Sequence, residues 1–252
     1  MKLLLNFKQF SILFVALFCT IQYNYAQSNE PNAKKDTSVD SFDIKNYSFT
    51  LPQPLPAGRY FQQVAVQYIV VPKDWITEQL TAPMFSYAGK YTLPYGFNLQ
   101  SSLATLFISY RLNFGPFWNY SANNFHFGAG YQVAYDLGFL KQFGFNTTLN
   151  VWEQQPSLTV GYSFKTMAVV LRGDLYYTSS LTETQAGHTV SYPTSLNGYS
   201  ITASLEQRLW KNNLLTFGVK MNYLKYHIIA WPAFPVNQYR YLLPEFDLGL
   251  SF

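Results

Sequence analysis

The chain has 252 residues, of which 19% are aromatic and only 12% are charged. Because charged residues make up about 25% of typical soluble domains, this composition argues against a surface that faces water everywhere. A mean hydropathy of −0.05 excludes a protein with several apolar helical spans of about 20 residues each, and a net charge of +4 is too small to indicate nucleic-acid binding.

Residues 1–26 have the pattern of a secretory signal peptide. Two lysines form the basic region, residues 10–21 form a short apolar region, and Ala26 is a small residue suited to cleavage. The only cysteine, Cys19, lies in this segment, so the mature chain is predicted to have no disulfide and no cysteine-based metal site. A lipoprotein signal at Cys19 is disfavoured because the bulky Phe18 precedes it.

Residues 27–58 are polar and rich in residues that interrupt regular structure. Pro52, Pro54 and Pro56 are spaced by two, and Gly58 follows them. Proline cannot donate a hydrogen bond to a strand ladder, so this spacing prevents pairing on both sides. The segment is therefore predicted to be an extended, poorly ordered periplasmic arm.

Residues 125–139 show the clearest strand pattern in the chain. Every second residue from Phe125 to Phe139 is apolar, mostly aromatic, whereas the residues between them, such as His126 and Asp136, are small or polar. This period of two predicts a β-strand with two unlike faces. An aromatic face suits lipid and a small polar face suits a lumen, so the pattern predicts a transmembrane β-barrel.

From residue 59 to residue 252 almost the whole chain can be divided into such strands. We predict an all-β fold, a transmembrane antiparallel up-and-down β-barrel of about ten strands. If residues 59–93 lie outside the wall, the alternative is eight strands with an N-terminal extension. A bulge is predicted near Ala104, because the apolar phase changes there. The predicted strands are residues 64–71, 85–93, 97–113, 125–139, 143–152, 158–164, 167–177, 199–209, 214–226 and 242–252.

The predicted connections alternate in length along the chain. Short connections are expected at 140–142, 165–166 and 211–213, an intermediate one at 153–157, and long ones at 114–124, 178–198 and 227–241. Bacterial barrels have tight periplasmic turns and longer extracellular loops. The N-terminal arm and the C-terminus are therefore predicted to be periplasmic, with all long loops extracellular.

The charged residues of the predicted strands share the face opposite to the apolar one. An Arg or Lys that faced lipid at mid-membrane would cost roughly 2–4 kcal/mol, so these residues are predicted to face the lumen and pair there. A barrel of this size has an interior that side chains can fill. We therefore predict a filled lumen; a path for ions or solutes is the alternative. The predicted lumen network comprises Lys90, Asp136, Arg172, Asp174, Glu206, Arg208, Lys220, Glu245 and Asp247.

The last eleven residues end on an aromatic residue that is preceded by apolar residues at every second position. This segment resembles the C-terminal signature of bacterial outer-membrane β-barrel proteins, from which Pro244 departs. The resemblance implies insertion by the barrel assembly machinery and an integral location in the bacterial outer membrane, in contact with lipid and lipopolysaccharide. It identifies a class and transfers no functional residues. The residues of the signature are Phe246, Leu248, Leu250 and Phe252.

The predicted loop 227–241 is unusually apolar for an exposed segment. Such side chains either fold over the barrel mouth as a cap or contact another outer-membrane or periplasmic protein. Two aromatic residues of the predicted loop 114–124 are expected to extend the same surface. The candidate partner-binding residues are Trp118, Tyr120, Ile228, Ile229, Trp231, Phe234 and Val236.

No catalytic motif is recognised in the sequence. His126, His188 and His227 are all predicted on the extracellular side, but no histidine has the spacing of a known hydrolase or metal motif. We therefore predict no catalytic residue, no cofactor and no metal. The leading hypothesis is an accessory or structural subunit of a larger outer-membrane assembly for secretion, uptake or biogenesis. The alternatives are a narrow channel or ligand-binding barrel, and an outer-membrane lipid-modifying enzyme or protease.

Overall fold

The computed structural model describes residues 42–71, 80–106, 108–140, 146–227 and 239–252. These residues form eleven β-strands and two short 3₁₀ turns, at Ile44–Asn46 and Pro94–Gly96. Within this part of the chain, no helix is long and apolar enough to cross a membrane. The strands are β1 (Tyr60–Val71), β2 (Leu80–Thr92), β3 (Phe97–Thr105), β4 (Ser109–Ala122), β5 (Phe125–Leu140), β6 (Thr147–Ser163), β7 (Met167–Gln185), β8 (His188–Tyr192), β9 (Ser195–Trp210), β10 (Asn213–Leu224) and β11 (Tyr241–Ser251).

Ten of these strands close into an antiparallel barrel. Strands adjacent in sequence pair with each other, and β1 pairs with β11, for instance through Val64 and Leu250, to complete the circle. The short β8 pairs with β7 outside this circle, while β9 continues the wall beside β7. Because β1 and β2 both belong to the wall, the prediction of ten strands is confirmed over the alternative of eight.

The wall separates two chemical environments, as the period of two predicts. In β5, Phe125, Phe127 and Tyr131 are exposed on the outside, whereas His126 and Asp136 are buried on the inside. Exposed leucine, valine, phenylalanine and tyrosine side chains continue this outer surface on the other strands. An apolar exterior around a polar interior is the construction of a transmembrane barrel.

Two strand boundaries differ from the prediction. Residues 97–113 are not one bulged strand, because β3 ends at Thr105 and the antiparallel β4 starts at Ser109, with the Leu106 amide donating to the Ser109 carbonyl. The change of phase at Ala104 therefore marks a turn. Residues 147–163 form the single strand β6 with Pro156 inside it, and the ladder to β7 skips that position. A proline normally argues against an interior strand.

One predicted strand is in fact two, and two predicted strands are in fact one, so the total of ten is unchanged. The strands between these two places therefore run in the direction opposite to the one predicted. The predicted loop 114–124 is mostly part of β4, and it ends in a two-residue turn at 123–124. This turn lies at the same end of the barrel as the turns at 93–96, 164–166 and 211–212, the start of β1 and the end of β11. We call this the short-turn end. The ends of β1, β3 and β5, and the starts of β2, β4 and β6, lie at the opposite end, the loop end.

The contact between β4 and β5 requires a glycine at position 115. A Cβ atom on Gly115 would lie 2.0 Å from the carbonyl oxygen of Tyr131, and Pro116 next to it lacks an amide hydrogen for the ladder. We expect Gly115→Ala to lower the free energy of unfolding of the barrel by at least about 2 kcal/mol, measured by urea titration in detergent micelles. Gly173→Ala is the matched control, since a Cβ there has no neighbour within 4 Å; equal stability of both variants would contradict the argument.

Candidate functional site

The N-terminal segment 42–58 packs inside the barrel at the short-turn end. The Ile44 amide donates to the Lys165 carbonyl over 3.1 Å, and Leu51 is almost completely buried. The prediction of one extended arm over 27–58 is therefore wrong for residues 42–58, whereas residues 27–41 lie outside the described part of the chain. We call residues 42–58 the plug. Its apolar contact with the wall joins Phe42, Ile44 and Leu51 to Ala168, Val170 and Leu214.

Two buried charged residues hold the plug from opposite sides. The Glu206 carboxylate on β9 accepts hydrogen bonds from the Ser48 hydroxyl, the Phe49 amide (3.1 Å), the Thr50 amide (3.3 Å) and the Thr50 hydroxyl (2.8 Å). The Lys90 ammonium on β2 donates to the carbonyl oxygens of Ser48 and Phe49, both over 2.7 Å. Both side chains are at most 1% exposed. We call Lys90 and Glu206 the latch pair.

Small residues in the wall provide the space that the plug occupies. A Cβ atom on Gly128 would lie 2.7 Å from the Cβ of Pro52, and one on Gly161 would lie 2.6 Å from a methyl group of Leu51. On β4, the Asn119 side-chain amide donates to the Gln53 carbonyl over 3.1 Å. The wall is thus complementary to residues 48–53 in both shape and hydrogen bonding.

Ion pairs extend along the lumen beyond the plug. Arg111 on β4 lies 2.9 Å from Glu153 and 3.6 Å from Asp136, and both carboxylates are completely buried. On β7, Arg172 pairs with Asp174 at 2.8 Å. Buried charges of this kind need partners, because the membrane interior cannot solvate them.

A third ion pair lies on β10 and β11. Lys220 approaches Glu245 at 3.6 Å, and the Asn222 side-chain amide donates to the same carboxylate over 2.9 Å. His227, just after β10, lies 3.8 Å from Glu245. The side chain of Asp247 packs against Gly218, where an added Cβ atom would lie 3.0 Å from the Asp247 Cβ.

A cavity of about 290 Å³ lies among these ion pairs. Residues 49–52 of the plug line it, and so do Arg111, Arg172, Lys220 and the carboxylates that face them. The wall formed by β2 and β3 contributes small side chains, including Ser86. Because these side chains are short, they do not fill the cavity. The lumen therefore holds a polar chamber with the plug at one side.

The structure places the predicted lumen residues as follows. Eight of the nine line the cavity, contact the plug or pair beside the cavity: Lys90, Asp136, Arg172, Asp174, Glu206, Lys220, Glu245 and Asp247. Arg208 lies nearer the short-turn end, over the ring of Phe42 at 4.2 Å.

The sequence analysis missed two central members of the network, Arg111 and Glu153. Arg111 stands in the segment 97–113, whose phase was ambiguous, and Glu153 stands in the predicted connection 153–157. The change of phase at Ala104 is the signal that would have revealed the turn before β4 and so the inward face of Arg111.

Trp118 and Tyr120 do not lie in an outer loop. Both are exposed on the outside of β4, near the short-turn end, with ring centroids 6.2 Å apart. Their predicted loop position is therefore wrong, while a contact with a partner stays a prediction. The other candidate partner-binding residues, Ile228, Ile229, Trp231, Phe234 and Val236, lie outside the described residues. In the C-terminal signature, Phe246 and Leu248 are exposed on the outer face of β11, and Leu250 and Phe252 are partly exposed.

The three histidines lie at both ends of the barrel, so their predicted placement on one side is wrong for His126. Its ring nitrogens contact the hydroxyls of Ser121 (2.7 Å) and Ser163 (2.9 Å) at the short-turn end. His188 starts β8 and His227 follows β10, both toward the loop end. Among the described residues, no group of three or more His, Cys, Asp or Glu side chains could hold a metal ion.

Comparisons with known proteins give structural likeness only. No protein-family model and no curated protein matches the sequence. Neisserial surface protein A is 15% identical, covers 76% of this chain and 95% of its own, and has a TM-score of 0.37. The KdgM porin is 14% identical (75% and 98% covered, TM-score 0.39), and the translocator domain of autotransporter NalP from Neisseria meningitidis is 11% identical (80% and 90%, TM-score 0.38). These identities and TM-scores give no basis for assigning a function.

Proposed function

We propose that this outer-membrane β-barrel protein is a non-enzymatic accessory subunit of a larger assembly in the envelope. The observation that supports the proposal is the plug: residues 42–58 occupy the lumen at the short-turn end and are bonded there to the latch pair. A lumen filled by the chain itself is better suited to an anchored component than to an open pore. The separation of His126 from the other two histidines supports a non-enzymatic role.

The proposed orientation places the short-turn end in the periplasm. Tight turns and both termini of the barrel lie at this end, as in bacterial barrels whose longer loops are extracellular. Phe42 also lies there, in contact with Arg208. A periplasmic or outer-membrane partner is expected to bind this N-terminal arm or the loop 227–241. Lipid and lipopolysaccharide contact the outer wall, and the barrel assembly machinery inserts the chain.

Gentle detergent extraction of the tagged native protein, followed by mass spectrometry, tests the accessory role. We expect one partner to elute in stoichiometric amount and to be lost when residues 27–41 are deleted, because this part of the arm precedes the plug. A small barrel of unrelated sequence, tagged and extracted in the same way, is the control. Elution of the native protein alone would contradict the proposal.

A second candidate function is a ligand-binding barrel or a narrow channel. The observation that favours it is the charged cavity of about 290 Å³ behind the plug. Planar bilayer recordings separate the two forms: a channel gives discrete conductance steps, whereas a ligand-binding barrel with its plug in place stays silent.

A further inference from the structure

The cavity has more polar groups than stability requires. Replacing buried ion pairs with apolar residues of similar size is often neutral or stabilising, and ten strands enclose a space that aliphatic side chains could fill. Yet Arg111, Arg172 and Lys220 converge on one chamber together with several carboxylates. Charged residues inside a membrane protein commonly mark a site or path for a solute.

The charges around the cavity do not balance. Three cationic side chains, Arg111, Arg172 and Lys220, line the cavity together with four carboxylates, those of Glu153, Asp174, Glu245 and Asp247. A fifth carboxylate, that of Asp136, is not part of the lining but pairs with Arg111. The latch pair is balanced in itself, so it does not compensate for the excess. The chamber therefore attracts positive charge.

Hydrogen-bond acceptors without a partner also indicate a cationic ligand. The Asn222 Oδ1, Gln155 Oε1 and Asp247 Oδ1 atoms have no hydrogen-bond partner among the described residues, and all three side chains line the cavity. Asn222 is completely buried and Gln155 is 6% exposed. A molecule that donates hydrogen bonds and carries positive charge would satisfy both the free acceptors and the excess of carboxylates.

No residue of the plug belongs to a strand of the wall, and β1 and β11 close the barrel without it. Residues 54–58, the last part of the plug, lead into β1 through two prolines and Gly58, which adopts a φ of +86°. Among the described residues, the wall side chains that form hydrogen bonds to residues 48–53 are Lys90 and Glu206, which hold residues 48–50, and Asn119, which holds Gln53.

We propose that the luminal cavity is a binding site for small organic cations, such as amines, and that residues 48–53 are the gate that controls entry from the short-turn end. The proposal rests on the second candidate function and is independent of any partner. The gate opens when the bonds between residues 48–50 and the latch pair break together with the bond from Asn119 to Gln53, which exposes the cavity to the periplasmic side.

Thiol labelling inside the cavity tests both parts of the proposal. The protein carries Ser86→Cys, which lines the cavity, and Cys19→Ser, which removes the only native cysteine. The purified barrel is treated with a trimethylammonium-bearing or a sulfonate-bearing methanethiosulfonate, and the rates are compared by mass spectrometry. We expect the preference for the cationic reagent at position 86 to be about tenfold larger than at the exposed control Tyr95→Cys, which gives the intrinsic ratio of the two reagents, and Asp247→Asn to reduce this preference.

The gate is tested by weakening the plug side of the latch. Ser48→Ala with Thr50→Val removes two hydroxyl donors to Glu206 and leaves the wall unchanged, and we expect both reagents to react about tenfold faster. Tyr95→Cys, which is 92% exposed at the short-turn end, is the control and should react at the same rate in both backgrounds. Circular dichroism confirms that each variant keeps its strands.

Two results would overturn the proposal. If the cysteine at position 86 reacts equally fast with and without the hydroxyls of residues 48 and 50, the plug is a fixed part of the core and no gate exists. If the preference for the cationic reagent at position 86 is no larger than at Tyr95→Cys, the ligand class is wrong. Neither result bears on the accessory role, which is read from the partner that elutes with the native protein.

Discussion

Replacing Glu206 with glutamine should release residues 48–50 from the wall of the barrel. The carboxylate accepts bonds from the amides of Phe49 and Thr50 and from two hydroxyls, whereas a side-chain amide has only one acceptor oxygen. The substitution also leaves the buried Lys90 without its counter-charge. Breaking one side of a buried charge pair costs about 3 kcal/mol or more, and this cost falls mainly on the plug.

Amide hydrogen exchange followed by mass spectrometry measures this effect. In Glu206→Gln we expect the amides of Phe49 and Thr50 to exchange roughly 100-fold faster, while the wall strands keep their protection. The matched control is Glu183→Gln, since Glu183 bonds to Tyr192 in the β7–β8 hairpin at the loop end. Unchanged exchange at residues 49 and 50 would show that Glu206 does not hold the plug.

Replacing Arg111 with methionine should destabilise the whole barrel. Its guanidinium is the shared partner of Glu153 at 2.9 Å and of Asp136 at 3.6 Å, and neither carboxylate is exposed. Methionine fills a similar volume but leaves two adjacent negative charges in the lumen. We expect the free energy of unfolding to fall by about 3–5 kcal/mol, measured by urea titration in detergent micelles.

Neutralising both carboxylates should restore most of this loss. The triple variant Arg111→Met, Asp136→Asn, Glu153→Gln removes the uncompensated charges while keeping the shapes of the side chains. Arg172→Met is a second comparison and should cost less, because the Arg172 side chain is 26% exposed and the buried Asp174 keeps a hydrogen bond from Gln155. If the triple variant is as unstable as Arg111→Met, the loss of stability comes from altered packing and not from the unpaired carboxylates.

Whether the sequence predicts that a residue faces the lumen depends on how regular the strand around that residue is. Asp136, Arg172 and Asp174 stand in strands with a regular period of two, and the structure places all three in the lumen or beside its cavity. Arg111 and Glu153 stand where that period is broken, by a turn and near a proline. Periodicity identifies the face of a residue only inside an uninterrupted strand.

The sequence by itself determined the transmembrane barrel, its ten strands and its apolar exterior, because each strand repeats the same alternation locally. Only the tertiary structure decided that residues 42–58 are a plug. Prolines and polar residues predict an extended arm, and the burial of Leu51 depends on wall residues more than 100 positions later, such as Gly161 and Glu206. The partners of a segment without periodicity are set by the closed barrel, and no local pattern encodes them.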